Sequence, residues 1–246
     1  MDIPERWLFC GDSIIDGNHS RCGDPNHIMG HGFAFIAAAF LGSEYPGMNI
    51  RCFNTAQSGI NSMRLLHSWQ ERVLNTNCDV LTLLVGINDT NTLFDEDKNE
   101  WQKYNASPRA YEQNLRYMLY LARQKNPRLK IILGIPFYCR VDKLINYSSV
   151  KHDADEKKFT LKIRRYSQFK WEEKLVDVQK KQEAAKRIAR DFGAYLLDFP
   201  ALIDKALKKA PAEYWIWDGV HPTTSFHMLM YKEWLNVCRT NGIIPE

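Results

Sequence analysis

The sequence predicts an α/β fold built on a parallel sheet, and three observations carry that reading. Short apolar runs alternate with longer segments of helical period along the chain, the order in which parallel strands and their crossover helices follow one another. The 246 residues suit one domain with a substantial core, so a single unit over 1–246 is expected. Hydrophobic residues make up 45% and charged residues 25%, the balance of a globular chain.

Taken in order, the candidate strands are WLFC (Trp7 to Cys10), NIRCFN (Asn49 to Asn54), VLTLLV (Val80 to Val85), KIILGI (Lys130 to Ile135) and AYLLDF (Ala194 to Phe199). Helices are expected between them at about Gly32 to Leu41, Ser62 to Asn75, Pro108 to Lys125 and within Gln168 to Phe192. In the third, Leu115, Leu119 and Ala122 share one face and Ser107-Pro108 reads as a helix start. A last helix should follow Pro222, with Thr223 or Thr224 near its cap. Tyr138 to Ser167 is polar and without sustained period, and is read either as a lid or rim over a site or as a plain surface insertion.

Composition narrows the function classes. The longest strongly apolar stretch, Phe33 to Leu41, falls short of the roughly 20 residues that cross a bilayer, so no membrane span is expected. MDIPERW has neither the basic start nor the apolar run of a secretory signal, which makes the cytoplasm the expected compartment. The six cysteines form no CxxC pair and are expected to be reduced. Residues 151–190 hold thirteen Lys/Arg against seven Asp/Glu. Because acids interleave the bases and no nucleic-acid motif accompanies them, this reads as a solvated helix of mixed charge, and no nucleic-acid partner is expected.

Ligands of open α/β sheets bind beyond the carboxyl ends of the strands. Ser13 in GDSIIDG follows the first strand, Gly59 in NTAQSGINS the second, and Asn88 in VGIND the third. A serine hydroxyl is a poor nucleophile until a base takes its proton and a third group orients that base. WDGVHPTT supplies Asp218 and His221 three residues apart, so one loop can deliver base and orienter together. Acyl transfer also needs oxyanion donors, each worth roughly a hundred- to thousandfold in rate. The N–H groups of Ser13 and Gly59 and the side-chain amide of Asn88 are candidates.

GDSIIDG, the glycine after NTAQS, GIND and DGVHP stand in the order and spacing of the four signature blocks of the SGNH (GDSL) hydrolase superfamily, and the chain resembles that superfamily over nearly its whole length. The resemblance implies a flavodoxin-like three-layer α/β/α fold with a five-stranded parallel sheet. It also implies Ser13 as nucleophile, His221 as general base and acid, Asp218 as its orienter, and Ser13, Gly59 and Asn88 as the oxyanion hole. Within the superfamily the chain looks most like the intracellular acetylxylan esterase branch. The carriers are LFCGDSIIDG, IRCFNTAQSGI, LLVGIND, PFY at Pro136 to Tyr138, and WIWDGVHPTTSFHML. It departs from that branch at Phe226, where those esterases often carry glycine before the histidine matching His227, and in the longer excursion after Tyr138.

Other groups near these motifs have plainer readings. Asp12 and Asp16 could each be proposed as a base, but both suit backbone support of the Ser13 loop, and Asp89 likewise. Asp12 is also kept with His31 and Trp217 as a candidate for substrate binding. His27 and His31 are four apart, yet Gly30 and the lack of a third ligand argue against a metal. Strand-like alternation would put Trp215 and Trp217 on one face, where an indole could stack on a sugar ring or simply pack in the core.

The expected activity is therefore removal of O-acetyl groups from acetylated saccharides, xylo-oligosaccharides foremost, with no metal or organic cofactor. Two other readings stand beside it: hydrolysis of longer acyl esters or thioesters, and a catalytically silent carbohydrate-binding protein. The resemblance is compatible with a homo-oligomer.

Overall fold

A computed structural model describes residues 3–24, 26–141 and 170–245. Five parallel strands, β1 (Arg6–Gly11), β2 (Arg51–Asn54), β3 (Val80–Leu84), β4 (Lys130–Gly134) and β5 (Tyr195–Leu197), form one sheet in the order β2-β1-β3-β4-β5. Each lies within a predicted run or one residue beyond it, because strands covered on both faces read as continuous apolar sequence.

The helices, in chain order, are α1 (Ser13–Asp16), α2 (Phe33–Glu44), α3 (Ser62–His67), α4 (Trp69–Arg72), α5 (Ile87–Leu93), α6 (Glu100–Tyr104), α7 (Pro108–Lys125), α8 (Trp171–Phe192), α9 (Phe199–Leu207), α10 (Ala212–Trp215) and α11 (Thr224–Thr240). Alternate strand residues feed two apolar layers. Trp7 and Phe9 pack with Phe33, Phe199, Phe226 and Trp234 on the α2, α9 and α11 side. Leu8 and Cys10 pack with Leu115, Met118, Leu119 and Ile188 on the α7 and α8 side. Helices thus cover both sheet faces, as the three-layer reading requires.

Local chemistry sets the helix ends. Ser107 caps α7 by accepting from the Ala110 N–H, with Pro108 at its first position, and Thr223 caps α11 by accepting from the Phe226 N–H. The helix predicted over Ser62 to Asn75 is instead broken at Ser68, whose hydroxyl donates back to the carbonyls of Arg64 and Leu65. A serine bonding to the preceding turn in this way competes with the helix ladder. The predicted fifth strand stops at Leu197 because Asp198 caps α9 by accepting from Ala201 N–H at 3.0 Å.

Two further expectations change. The mixed-charge helix is not solvated all round: Lys174, Asp177 and Lys181 of α8 are buried. Trp215 ends α10 and packs in the core, 6.4 Å between ring centroids from Phe226, while Trp217 remains half-buried beside His221. Residues 142–169, most of the excursion read as a lid or insertion, lie outside the described residues. Among the described residues no helix is long and apolar enough to cross a membrane.

Candidate active site

The loops after β1, β2 and β3 and the loop before α11 meet at the carboxyl end of the sheet. The order β2-β1-β3-β4-β5 places β1 and β3 side by side at its centre, where chain direction across the sheet reverses and a crevice opens. Ser13 and Asn88 stand just past the ends of these two strands.

Ser13 opens the one-turn helix α1, which Asp12 caps by accepting the Ile14 N–H at 3.1 Å. At a helix start the first N–H groups have no intrahelical partner. The Ser13 Oγ lies 2.8 Å from His221 Nε2, and His221 Nδ1 lies 2.6 Å from Asp218 Oδ2. Asp218 is wholly buried, and its Oδ1 accepts the N–H groups of His221 at 2.7 Å and Val220 at 3.0 Å. One carboxylate therefore shapes the loop and orients the ring it carries. Trp217 stacks on that ring, with centroids 5.9 Å apart and planes 25° from parallel.

Two more predicted residues come to the same place. Gly59 has φ +76, and no atom lies within 4 Å of where its Cβ would stand. The backbone conformation demands glycine here, while the space above it is left open. Asp16 holds this turn: its Oδ2 accepts both the N–H and the hydroxyl of Ser58 at 2.7 Å. Burial works to raise the Asp16 pKa, but the Ser58 bonds and the Arg21 and His19 charges outweigh it and hold the carboxyl below its usual value. Asn88 donates one amide hydrogen to Ile60 O at 3.0 Å, which ties the second and third loops and leaves its other hydrogen available. Among the described residues the N–H groups of Ser13 and Gly59 have no acceptor. The fold thus leaves these three donors unconsumed.

Of the remaining candidates, Asp12 is 1% exposed, which leaves it no surface for a substrate and assigns it to the turn. Burial pushes its carboxyl up to about 7, and among the described residues its Oδ2 has no hydrogen-bond partner. Asp89 is also buried, with its carboxyl pushed up to about 6, and accepts from Ser62. His31 is exposed, and its charge opposes protonation of His227. His27 pairs with Asp24 instead, and among the described residues no group of three or more His, Cys, Asp or Glu is placed to hold a metal ion.

His227, marked in the sequence only through the family resemblance, has a structural place of its own. It is buried on the first turns of α11, and its Nδ1 accepts the Phe33 N–H at 3.2 Å, capping α2 from outside. Burial holds its pKa down to about 4, so the ring is neutral with its proton on Nε2.

Chemically, the arrangement can pass the Ser13 hydroxyl proton to an imidazole that Asp218 orients. Comparison with known proteins gives the family and the fold. An acetylxylan esterase of Geobacillus stearothermophilus is 25% identical over 239 residues, 94% of this chain and 92% of that protein. The crystal structure of an acetylxylan esterase from the same organism superposes with TM-score 0.76 at 24% identity, covering 97% of each chain. An alpha/beta hydrolase from the Lake Arreo metagenome has TM-score 0.74 at 18% identity, covering 100% of this chain and 99% of that one. The model of the GDSL-like lipase/acylhydrolase family matches residues 9–229. The chain belongs to that GDSL-like lipase/acylhydrolase family and is a carboxylic ester hydrolase.

Proposed function

We propose that this hydrolase removes O-acetyl groups from acetylated carbohydrates, xylo-oligosaccharides foremost, through an acetyl-enzyme intermediate. The observation that carries the mechanism is the continuous line Ser13 Oγ, His221 Nε2, His221 Nδ1, Asp218 Oδ2, at 2.8 and 2.6 Å. His221 takes the Ser13 proton as Oγ bonds to the acetyl carbonyl carbon. The carbonyl oxygen becomes an oxyanion, met by the N–H groups of Ser13 and Gly59 and by the Asn88 amide. Collapse breaks the bond to the sugar oxygen, which leaves as an alcohol with the proton from His221. Water, deprotonated by the same ring, then releases acetate and restores Ser13.

The acetylated sugar is supported by the acetylxylan esterase relative and by the Trp217 face beside His221, since an indole that flanks the reacting atoms suits a sugar ring. The reading places the enzyme in the cytoplasm, acting on oligosaccharides already taken up. The test is acetate release from a panel of acetylated mono- and oligosaccharides, set beside aryl esters of increasing chain length. Rates falling sharply beyond acetate support the reading. Rates rising toward octanoate overturn it in favour of a long-chain esterase, and sugar binding without acetate release favours a silent binding protein.

A further inference from the structure

Three consecutive side chains of the short helix α5 are anchored in three different places. Asn88 donates to Ile60 O. Asp89 accepts the Ser62 N–H at 2.9 Å and the Ser62 hydroxyl at 2.5 Å. Thr90 donates its hydroxyl proton to Asp177 Oδ2 at 2.6 Å and accepts from Lys181 Nζ at 3.1 Å. Asp177 and Lys181 also bond directly to each other on α8. Lys181 and Thr90 are fully buried and Asp177 is 5% exposed.

A buried ion pair is a poor source of stability, because the desolvation of both charges offsets their attraction and apolar residues of the same size serve as well. Its presence here therefore points to another task. The α5 helix has no side-chain cap at Gly86, so the anchors at Asp89 and Thr90, on either side of Asn88's own bond, set its rotation about its axis. Thr90 has a single hydroxyl proton and it goes to Asp177, which leaves a lone pair for Lys181 and admits one orientation.

We infer that Asp177 and Lys181 are positioning residues that hold α5 so that the Asn88 amide faces the reacting oxygen, an inference that rests on Asn88 being an oxyanion donor. Displacing a catalytic group by about 1 Å can cost on the order of a hundredfold in rate. The pair lies outside all four signature blocks, on a helix that contributes no group to the reaction.

The test is the paired variant Asp177→Leu/Lys181→Met, which removes both charges and keeps side chains of similar skeleton. It is expected to fold with a lower Tm, because the buried Thr90 hydroxyl loses both partners, to lose about ten- to hundredfold in kcat, and to keep KM within about twofold. In an Asn88→Ala background the same pair should cost less than about threefold, because residues acting through one group are not additive. Wild-type kcat in the paired variant, or an undiminished loss in the Asn88→Ala background, overturns the inference. Should the pair impair folding, Thr90→Val cuts the link while leaving the ion pair in place, and the same pattern is expected at smaller size; its absence likewise overturns the inference. The NMR signals of the Asn88 side-chain amide decide independently of activity: they should move in the paired variant, and unmoved signals refute the positioning role. Failure of the unmodified chain to release acetate would count against the esterase reading and leave the NMR outcome to judge this one.

Discussion

The Ser13 Oγ and His221 Nε2 stand 2.8 Å apart although 208 positions separate them in sequence. No other side-chain bond of the Ser13 hydroxyl exists among the described residues, so the hydroxyl carries little of the fold. Ser13→Ala should therefore reduce kcat for acetyl esters by about a millionfold while circular dichroism and Tm stay unchanged. A folded alanine variant with substantial turnover would remove Ser13 from the mechanism.

Asp218 accepts from both the ring and the main chain of its loop. Asp218→Asn should lower kcat by about ten-thousandfold, because an amide no longer enforces the tautomer with the Nδ1 proton. Steady-state rates measured against the Ser13→Ala baseline check this.

The turn that carries Gly59, a donor in the proposed mechanism, is held by Asp16. Asp16→Ala strands the N–H and hydroxyl of Ser58, so the turn carrying Gly59 should loosen. The expected loss is about tenfold or more in kcat with a lower Tm, while Ser58→Ala, which removes only the hydroxyl bond, should cost less of both.

Gly219 sits between Asp218 and Val220 with φ +89, and an added Cβ would lie 2.8 Å from the Trp171 ring and 2.9 Å from Cys139 O. Gly219→Ala should destabilise by about 1–3 kcal/mol from backbone strain alone and displace His221. Adding Trp171→Leu should recover only part of the lost Tm, since it relieves the ring contact but not the strain.

The buried Asp12 makes a pH prediction. Its pKa is raised to about 7 in the folded chain from an ordinary 3.8, so the folded state holds more protons than the unfolded one between those values. Stability from this group is present at low pH and falls as pH rises through about 7. Asp12→Asn, which cannot ionise, should flatten the decline in Tm between about pH 4 and pH 7. A Tm profile parallel to that of the unmodified chain would show that Asp12 does not titrate there.

Much of the scaffold was legible before any coordinates. VLTLLV and KIILGI read as strands because burial on both faces leaves no polar alternation, and Ser107-Pro108 and Thr223 announced helix starts through their caps. The short helices α1, α5, α6 and α10 were not legible, since one or two turns show no sustained period. The helix that holds Asp177 and Lys181 reads as solvated from its interleaved charges, since charge pattern alone does not distinguish a buried pair from an exposed one.

The sequence by itself determined the alternation of strand and helix, the four signature blocks and the residue types able to carry acyl transfer. These are local properties, written in periodicity and in the spacing of a few polar residues. Only the tertiary structure decided that His221 reaches Ser13, that Asp12 lies beneath the turn and not along the cleft, and that α8 grips α5 through Thr90. Those distances follow from the order in which five strands pack and from the helices stacked on each face, and no segment of chain encodes them alone.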